Sequence, residues 1–197
     1  MDVETPVGTA RAHVELVSKP IGAVVLGHGA GGGVDSRDLA AAAGAAREVG
    51  YAVALVEQPY RVAGRRSPAP AHQLDSAWTE VVAELLAGDL RGLPLVVGGR
   101  SSGARVACRT AAATGAVGVL CLAFPLHPPG RPERSRLPEL DAVTVPTLVV
   151  QGVRDPFGMP PGAAMRTVVH VASDHSLRAD LVTLADAVRD WLRELPA

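Results

Sequence analysis

The chain has 197 residues, a formal net charge of −1, a composition 48% hydrophobic but only 3% aromatic, and 2 cysteines. This length suits one domain over residues 1–197 with a substantial core, and the near-neutral charge excludes a general pull toward nucleic acid or membrane surfaces. No disulfide framework, basic-then-apolar leader or membrane-length apolar run is present, so a cytoplasmic protein is expected, with Cys108 and Cys121 as small core residues in a reducing compartment.

Weak apolar alternation over Val3–Val7 and Ala10–Val17, around Gly8, predicts an antiparallel N-terminal hairpin. Pro20–Ile21–Gly22 then breaks the chain before a short buried strand, Ala23–Leu26, which runs into the glycine-rich stretch Gly27–Gly33. Asp35 or Ser36 is placed to cap a helix that runs to Val49 and ends at Gly50. Tyr51–Val56 reads as a second buried strand, followed by a loop rich in Pro and Arg from Glu57 to His72. Asp75 opens a helix to Ala87, with Trp78, Val81, Val82 and Leu85 on one face.

Leu95–Val97 is the next strand, and the helix after it ends near Thr114–Gly115. Val117–Phe124 is a strand leading into a loop, Pro125–Leu140, with room for a short helical turn. Thr147–Val150 and Thr167–Val171 are the last strands. A final amphipathic helix over Leu177–Leu195 turns Leu181, Leu184, Val188, Trp191 and Leu192 inward. Short apolar strands alternating with helices predict an α/β protein, with a mostly parallel, doubly wound sheet flanked by helices.

Between Leu95–Val97 and the following helix lies GGRSSGAR, which matches G-x-S-x-G at Gly99, Ser101 and Gly103. A sharp strand-to-helix turn strains its central residue and leaves no room for bulk two residues away on either side. It exposes the Ser101 hydroxyl and aims the Ser102 amide at any oxyanion formed there. A serine nucleophile needs an imidazole to take its proton and a carboxylate to hold that imidazole's tautomer. On such a sheet the partners follow the serine as acid then histidine, each at the carboxyl end of a strand. Asp155 follows the Thr147–Val150 strand and His175 follows Thr167–Val171, in that order.

The competitors fit less well. Asp174 adjoins His175 on one loop, Asp141 precedes its strand, His13 and His72 have no strand end to stand on, and His170 lies within a strand. A second oxyanion donor belongs on the loop after an earlier strand, where Gly29 and Ala30 are the candidates. His28 braces that loop and does not act as the base.

Two other motifs compete for the same residues. GHGAGG satisfies G-x-G-x-x-G at Gly27, Gly29 and Gly32, and Glu57 ends the next strand, as in a dinucleotide site. The helix, however, starts only near Asp35–Ser36, whereas the last glycine of a true fingerprint lies inside it. A P-loop at Gly98–Gly103 fails because Ala104–Arg105 stands where Lys-Ser/Thr is required.

Together these residues resemble the α/β-hydrolase superfamily over nearly the whole chain. More narrowly, GHGAGGGVDS, EQPYR, GGRSSGARVA, FPLHPPGRPE, VVQGVRDPFG and SDHSL resemble a small hydrolase-like family. That family includes bacterial proteins similar to dienelactone hydrolases and a subunit of an animal chromatin-modifying complex. The resemblance implies an eight-stranded type of sheet and a triad of Ser101, Asp155 and His175. The family's elbow often has Met and Gly after the serine; here Ser102 and Gly103 follow.

Many such enzymes carry a lid after the strand that follows the nucleophile helix. Here that segment, Pro125–Val145, is too short for a folded cap, so an open site without a cap domain is expected. His28, Tyr60, Arg100 and His127 are the candidates to line the substrate site, with Arg61, Arg65, Arg66 and Arg131 on nearby loops; for Arg100 the alternative is pairing with an acid. Converging arginines would favour a polar or anionic ester. The expected function is a serine hydrolase that cleaves an ester or related acyl bond of a small substrate through an acyl-enzyme, with no metal or cofactor implied. The other reading is a binding or scaffold module that keeps the fold without turnover. No sequence signal bears on oligomeric state.

Overall fold

A computed structural model describes residues 1–195. Its strands form an eight-stranded sheet in the order β1-β2-β4-β3-β5-β6-β7-β8. β1 (Asp2–Thr5) and β2 (Gly8–Glu15) make the N-terminal hairpin, and β2 joins β4 (Tyr51–Glu57) antiparallel. From β4 onward every pairing is parallel, through β3 (Gly22–Gly27), β5 (Leu95–Arg100), β6 (Gly118–Leu122), β7 (Thr147–Gly152) and β8 (Arg166–Val171). The strands expected to be continuous apolar runs are so because helices cover both faces.

Alternation along each strand divides the core. Val24 and Leu26 of β3 and Val96 of β5 face α1 (Arg37–Glu48) and α6 (Leu181–Glu194), where Leu39, Leu184, Val188 and Trp191 lie. Val25 of β3 and Val97 of β5 face the other way, toward α3 (Ala71–Ala87) and α4 (Ser102–Thr110), against Trp78, Val81, Leu85 and Val106. Each large apolar side chain so buried contributes about 1.5–3 kcal/mol. The alanine-rich face of α1 (Ala42, Ala43, Ala45 and Ala46 all buried) lets that helix lie close to the sheet. Among the described residues no helix is long and apolar enough to cross a membrane.

Several expected boundaries shift for identifiable reasons. α3 begins at Ala71 instead of Asp75, directly after Pro70, and the preceding loop contains a short helix, α2 (Pro59–Val62). Ser36 occupies the N-cap of α1, but its hydroxyl makes no capping hydrogen bond. Strand β5 continues through Gly98, Gly99 and Arg100, so these residues belong to the sheet and not to the turn. The last helix begins at Leu181 and not at Leu177. Leu177 is fully buried, as its apolar spacing suggests, but it sits in a turn with φ 51°. Asp180 caps α6 by accepting the Thr183 amide at 3.2 Å. Between β6 and β7 the only helix is the five-residue α5 (Leu137–Asp141), and no cap domain is present.

Candidate active site

The turn from β5 into α4 is tight because three backbone segments meet there. A β-carbon at Gly99 would lie 2.4 Å from Gly27 O, and one at Gly103 would lie 2.4 Å from the same oxygen and 2.6 Å from its carbonyl carbon. Both contacts are with main chain, which no rotamer change relieves, so the two glycines that flank Ser101 are required by the end of β3. Ser101 itself has φ 52° and ψ −106°, a strained conformation for a residue with a β-carbon. Its amide donates to Leu122 O at the end of β6 at 2.9 Å, which holds the turn against the sheet. Ser102 opens α4, where a helix's first amides have no intrahelical acceptor.

Asp155 and His175 arrive from the ends of β7 and β8 and meet at this turn. His175 Nε2 is 3.0 Å from Ser101 Oγ, and His175 Nδ1 is 2.8 Å from Asp155 Oδ2. Because a carboxylate oxygen only accepts, Nδ1–H donates to Asp155, which leaves Nε2 to accept the Ser101 hydroxyl proton. The Asp155 side chain is 1% exposed. Its Oδ2 also accepts Gln151 Nε2–H at 2.8 Å, and its Oδ1 accepts the Phe157 amide at 2.8 Å. The Phe157 ring lies against the imidazole of His175, with centroids 4.2 Å apart and planes at 33°.

The neighbouring acid takes no part in this chain of contacts. Asp174 Oδ1 accepts the amide and hydroxyl of Ser176 at 2.9 and 2.6 Å. The Ser176 hydroxyl hydrogen bond is the main cause that holds the Asp174 carboxyl below its ordinary value.

The residues expected to touch substrate are mostly committed elsewhere. His28 is 2% exposed; its Nδ1–H donates to Gly29 O at 2.8 Å, and its Nε2 accepts the Gln58 amide at 3.1 Å. With both ring nitrogens occupied it is a brace of the loop, as expected, and not a substrate-side group. Burial pushes its pKa below the ordinary value. Tyr60, also buried, donates to Ala30 O at 2.9 Å, and burial raises its hydroxyl to about 12. It fastens the same loop, and its ring lines a cavity of about 330 Å³ with Gly8, Gln58, Arg65 and Leu74.

Of the two expectations for Arg100, the structure shows the pairing with an acid. Its Nε lies 2.8 Å from Asp38 Oδ2, and its Nη2 donates to His175 O at 3.1 Å. His127 Nδ1–H donates to Pro128 O at 2.9 Å, and its Nε2 sits 2.5 Å from where a β-carbon of Gly158 would be. The ring therefore packs on the loop that holds Asp155. Arg65, Arg66 and Arg131 are exposed. Of the two candidates for the second oxyanion donor, Gly29 lies beside Ser101, where a β-carbon on it would be 3.7 Å from Ser101 Cβ, and Ala30 follows it on the same loop, its carbonyl held by Tyr60.

Sequence reasoning missed Gln151, Phe157 and Asp38. Gln151 and Phe157 lie within QGVRDPFG, where a polar residue that ends an apolar strand just before the acid was the available signal. Asp38 could have been noticed as a carboxylate on the alanine-lined, buried face of its helix.

A family model described as "Alpha/beta hydrolase domain" matches residues 20–185. No curated protein matches the chain. Among solved structures, the chain resembles a Xanthomonas campestris serine hydrolase described as lacking a lid, with a TM-score of 0.79 and 24% identity, covering 100% of this chain and 94% of the other. Est1E of Butyrivibrio proteoclasticus superposes with a TM-score of 0.81 at 15% identity over 99% and 98% of the two chains. A dienelactone hydrolase of Anabaena variabilis gives 0.78 at 18% identity over 100% and 97%. At these identities the likeness is one of fold.

Proposed function

The chain belongs to the alpha/beta hydrolase domain family, and from that premise we propose that it is a serine hydrolase that uses Ser101, His175 and Asp155 to cleave an ester or related acyl bond of a small substrate. The observation that carries this reading is the 3.0 Å approach of His175 Nε2 to Ser101 Oγ at a strained strand-to-helix turn, with Asp155 on the other ring nitrogen.

In this mechanism His175 Nε2 takes the hydroxyl proton as Ser101 Oγ bonds to the carbonyl carbon. The carbonyl π pair moves onto oxygen, which the Ser102 amide and an amide of the Gly27–Gly33 loop, that of Ala30 or Gly29, receive. The tetrahedral adduct collapses, the bond to the leaving oxygen breaks, and His175 returns the proton to it. A water, deprotonated by His175, then attacks the acyl carbon, the bond to Ser101 Oγ breaks, and His175 returns the proton to Oγ as the acid leaves. Asp155 keeps the imidazole proton on Nδ1 throughout. With only α5 between β6 and β7, small and unroofed substrates suit the site better than long acyl chains.

Fluorophosphonate labelling tests the proposal. The native protein should label at Ser101 at neutral pH, and Ser101→Ala and His175→Ala should not. A well-folded native protein that stays unlabelled would overturn the hydrolase reading and favour a binding module.

A further inference from the structure

Arg100 stands immediately before Ser101, and its guanidinium joins three separate parts of the fold. Nε lies 2.8 Å from Asp38 Oδ2, whose side chain is 1% exposed and sits in the first turn of α1. The N–H is not aimed at that oxygen, which has no hydrogen-bond donor of its own, so the contact is a buried charge pair. Nη2 donates at 3.1 Å to the main-chain carbonyl of His175. Nη1 passes across Gly29, 2.7 Å from where a β-carbon would be, so only glycine leaves the guanidinium room to lie where it does. The Arg100 side chain is itself only 19% exposed.

These contacts have an order of cause. Asp38 is fixed by the packing of α1, whose Leu39, Ala42 and Ala46 are fully buried. Its buried charge needs a cation, because an unpaired carboxylate there would be costly. Arginine fits where lysine would not, because its planar fork can hold a carboxylate with one nitrogen and a carbonyl with another. The carbonyl it holds belongs to the residue whose ring must stand over Ser101.

We infer that Arg100 is a positioning residue: anchored by Asp38, it fixes the main chain of His175 at the height from which Nε2 reaches Ser101 Oγ. The inference rests on the reading of Ser101 and His175 as nucleophile and base. Of the two expectations for Arg100, substrate contact and pairing with an acid, it builds on the second. An arginine that bound a substrate anion would act on affinity; one that sets the base acts on turnover.

The test compares native protein with Arg100→Gln and Asp38→Asn, the second chosen because it keeps side-chain shape and leaves no buried carboxylate unpaired. Hydrolysis of p-nitrophenyl acetate, and of an ester carrying a free carboxylate, gives kcat and KM separately. The downfield proton NMR signal of His175 Nδ1–H reports the His175–Asp155 hydrogen bond without any need for turnover. The expected result is a fall in kcat of about 10- to 100-fold, the size of a small misplacement of a catalytic group. KM should stay within about twofold for both esters, and the Nδ1 proton should broaden through faster exchange in both folded variants. A rise in KM confined to the carboxylate ester would overturn the inference in favour of anion binding. An unchanged Nδ1 signal in folded Asp38→Asn would overturn it as well, even if the native protein hydrolysed neither ester.

Discussion

Asp155→Asn separates the charge of the acid from its shape, and the structure dictates which way the new amide turns. Oδ1 accepts the Phe157 amide at 2.8 Å, whereas Oδ2 accepts both His175 Nδ1–H and Gln151 Nε2–H, each at 2.8 Å. An amide nitrogen in place of Oδ1 would oppose the Phe157 N–H and leave it buried without an acceptor, at a cost of about 1–3 kcal/mol. In place of Oδ2 it would oppose Gln151 Nε2, whose hydrogens still have Phe124 O at 3.1 Å and Gly158 O at 2.9 Å. The second arrangement costs less. In it the new amide donates to His175 Nδ1, the imidazole proton moves to Nε2, and that nitrogen can no longer accept from Ser101. Turnover should fall about 10,000-fold, as expected when the base is locked in the wrong tautomer, while stability drops by no more than about 1 kcal/mol. Nitrophenolate release from p-nitrophenyl acetate measures the first, and urea denaturation measures the second. A folded variant within about tenfold of native turnover would refute the tautomer argument.

The close approach of β3 to the nucleophile turn predicts that Gly103→Ala forces α4 to retreat by about 1 Å from Gly27 before ordinary contact is restored. That should cost about 1–3 kcal/mol in urea denaturation and about 100-fold in kcat, and native-like stability would count against the close-approach argument. His28 gives a pH dependence. Burial holds it below its ordinary 6.5 in the folded protein, so the unfolded chain takes up the proton first as pH falls. The stability it supplies is complete above about 6.5 and declines as pH drops toward the lowered folded value. His28→Gln cannot take up that proton, so the native advantage in urea midpoint over this variant should shrink between about pH 7.5 and pH 5.5. A gap that does not change with pH would contradict it.

The parts of the site legible in the sequence are those that local chain geometry determines. The glycines around Ser101 announce a turn that other residues cannot enter, and the Gly27 carbonyl 2.4 Å from both absent β-carbons is the reason. The meeting of Asp155 and His175 with Ser101 could be anticipated because each follows an apolar strand. The partners of Arg100 and Tyr60 could not, because each lies far away in the chain. Whether Arg100 faces solvent or turns inward is decided by Asp38, a contact between β5 and α1 with no local trace. The Tyr60 hydroxyl is likewise claimed by Ala30 O on the far side of β4. Hydrophobic spacing placed Leu177 correctly in the core but could not tell a buried turn from a first helical turn, since both turn the same side chain inward.

β5 lies between β3 and β6, and the amide of Ser101 closes on Leu122 O. This has a consequence for biogenesis, because a nascent chain leaves the ribosome from its N-terminus. When residue 101 emerges, the strand that will hold its amide is still inside the ribosome, and β5 shows an open edge able to pair with other chains. His175 comes later still, on the loop after β8. Between the emergence of residues 101 and 122 the growing polypeptide thus carries Ser101 without its imidazole neighbour, beside an adhesive strand edge. A chaperone that engages the chain in that interval would have the most to shield.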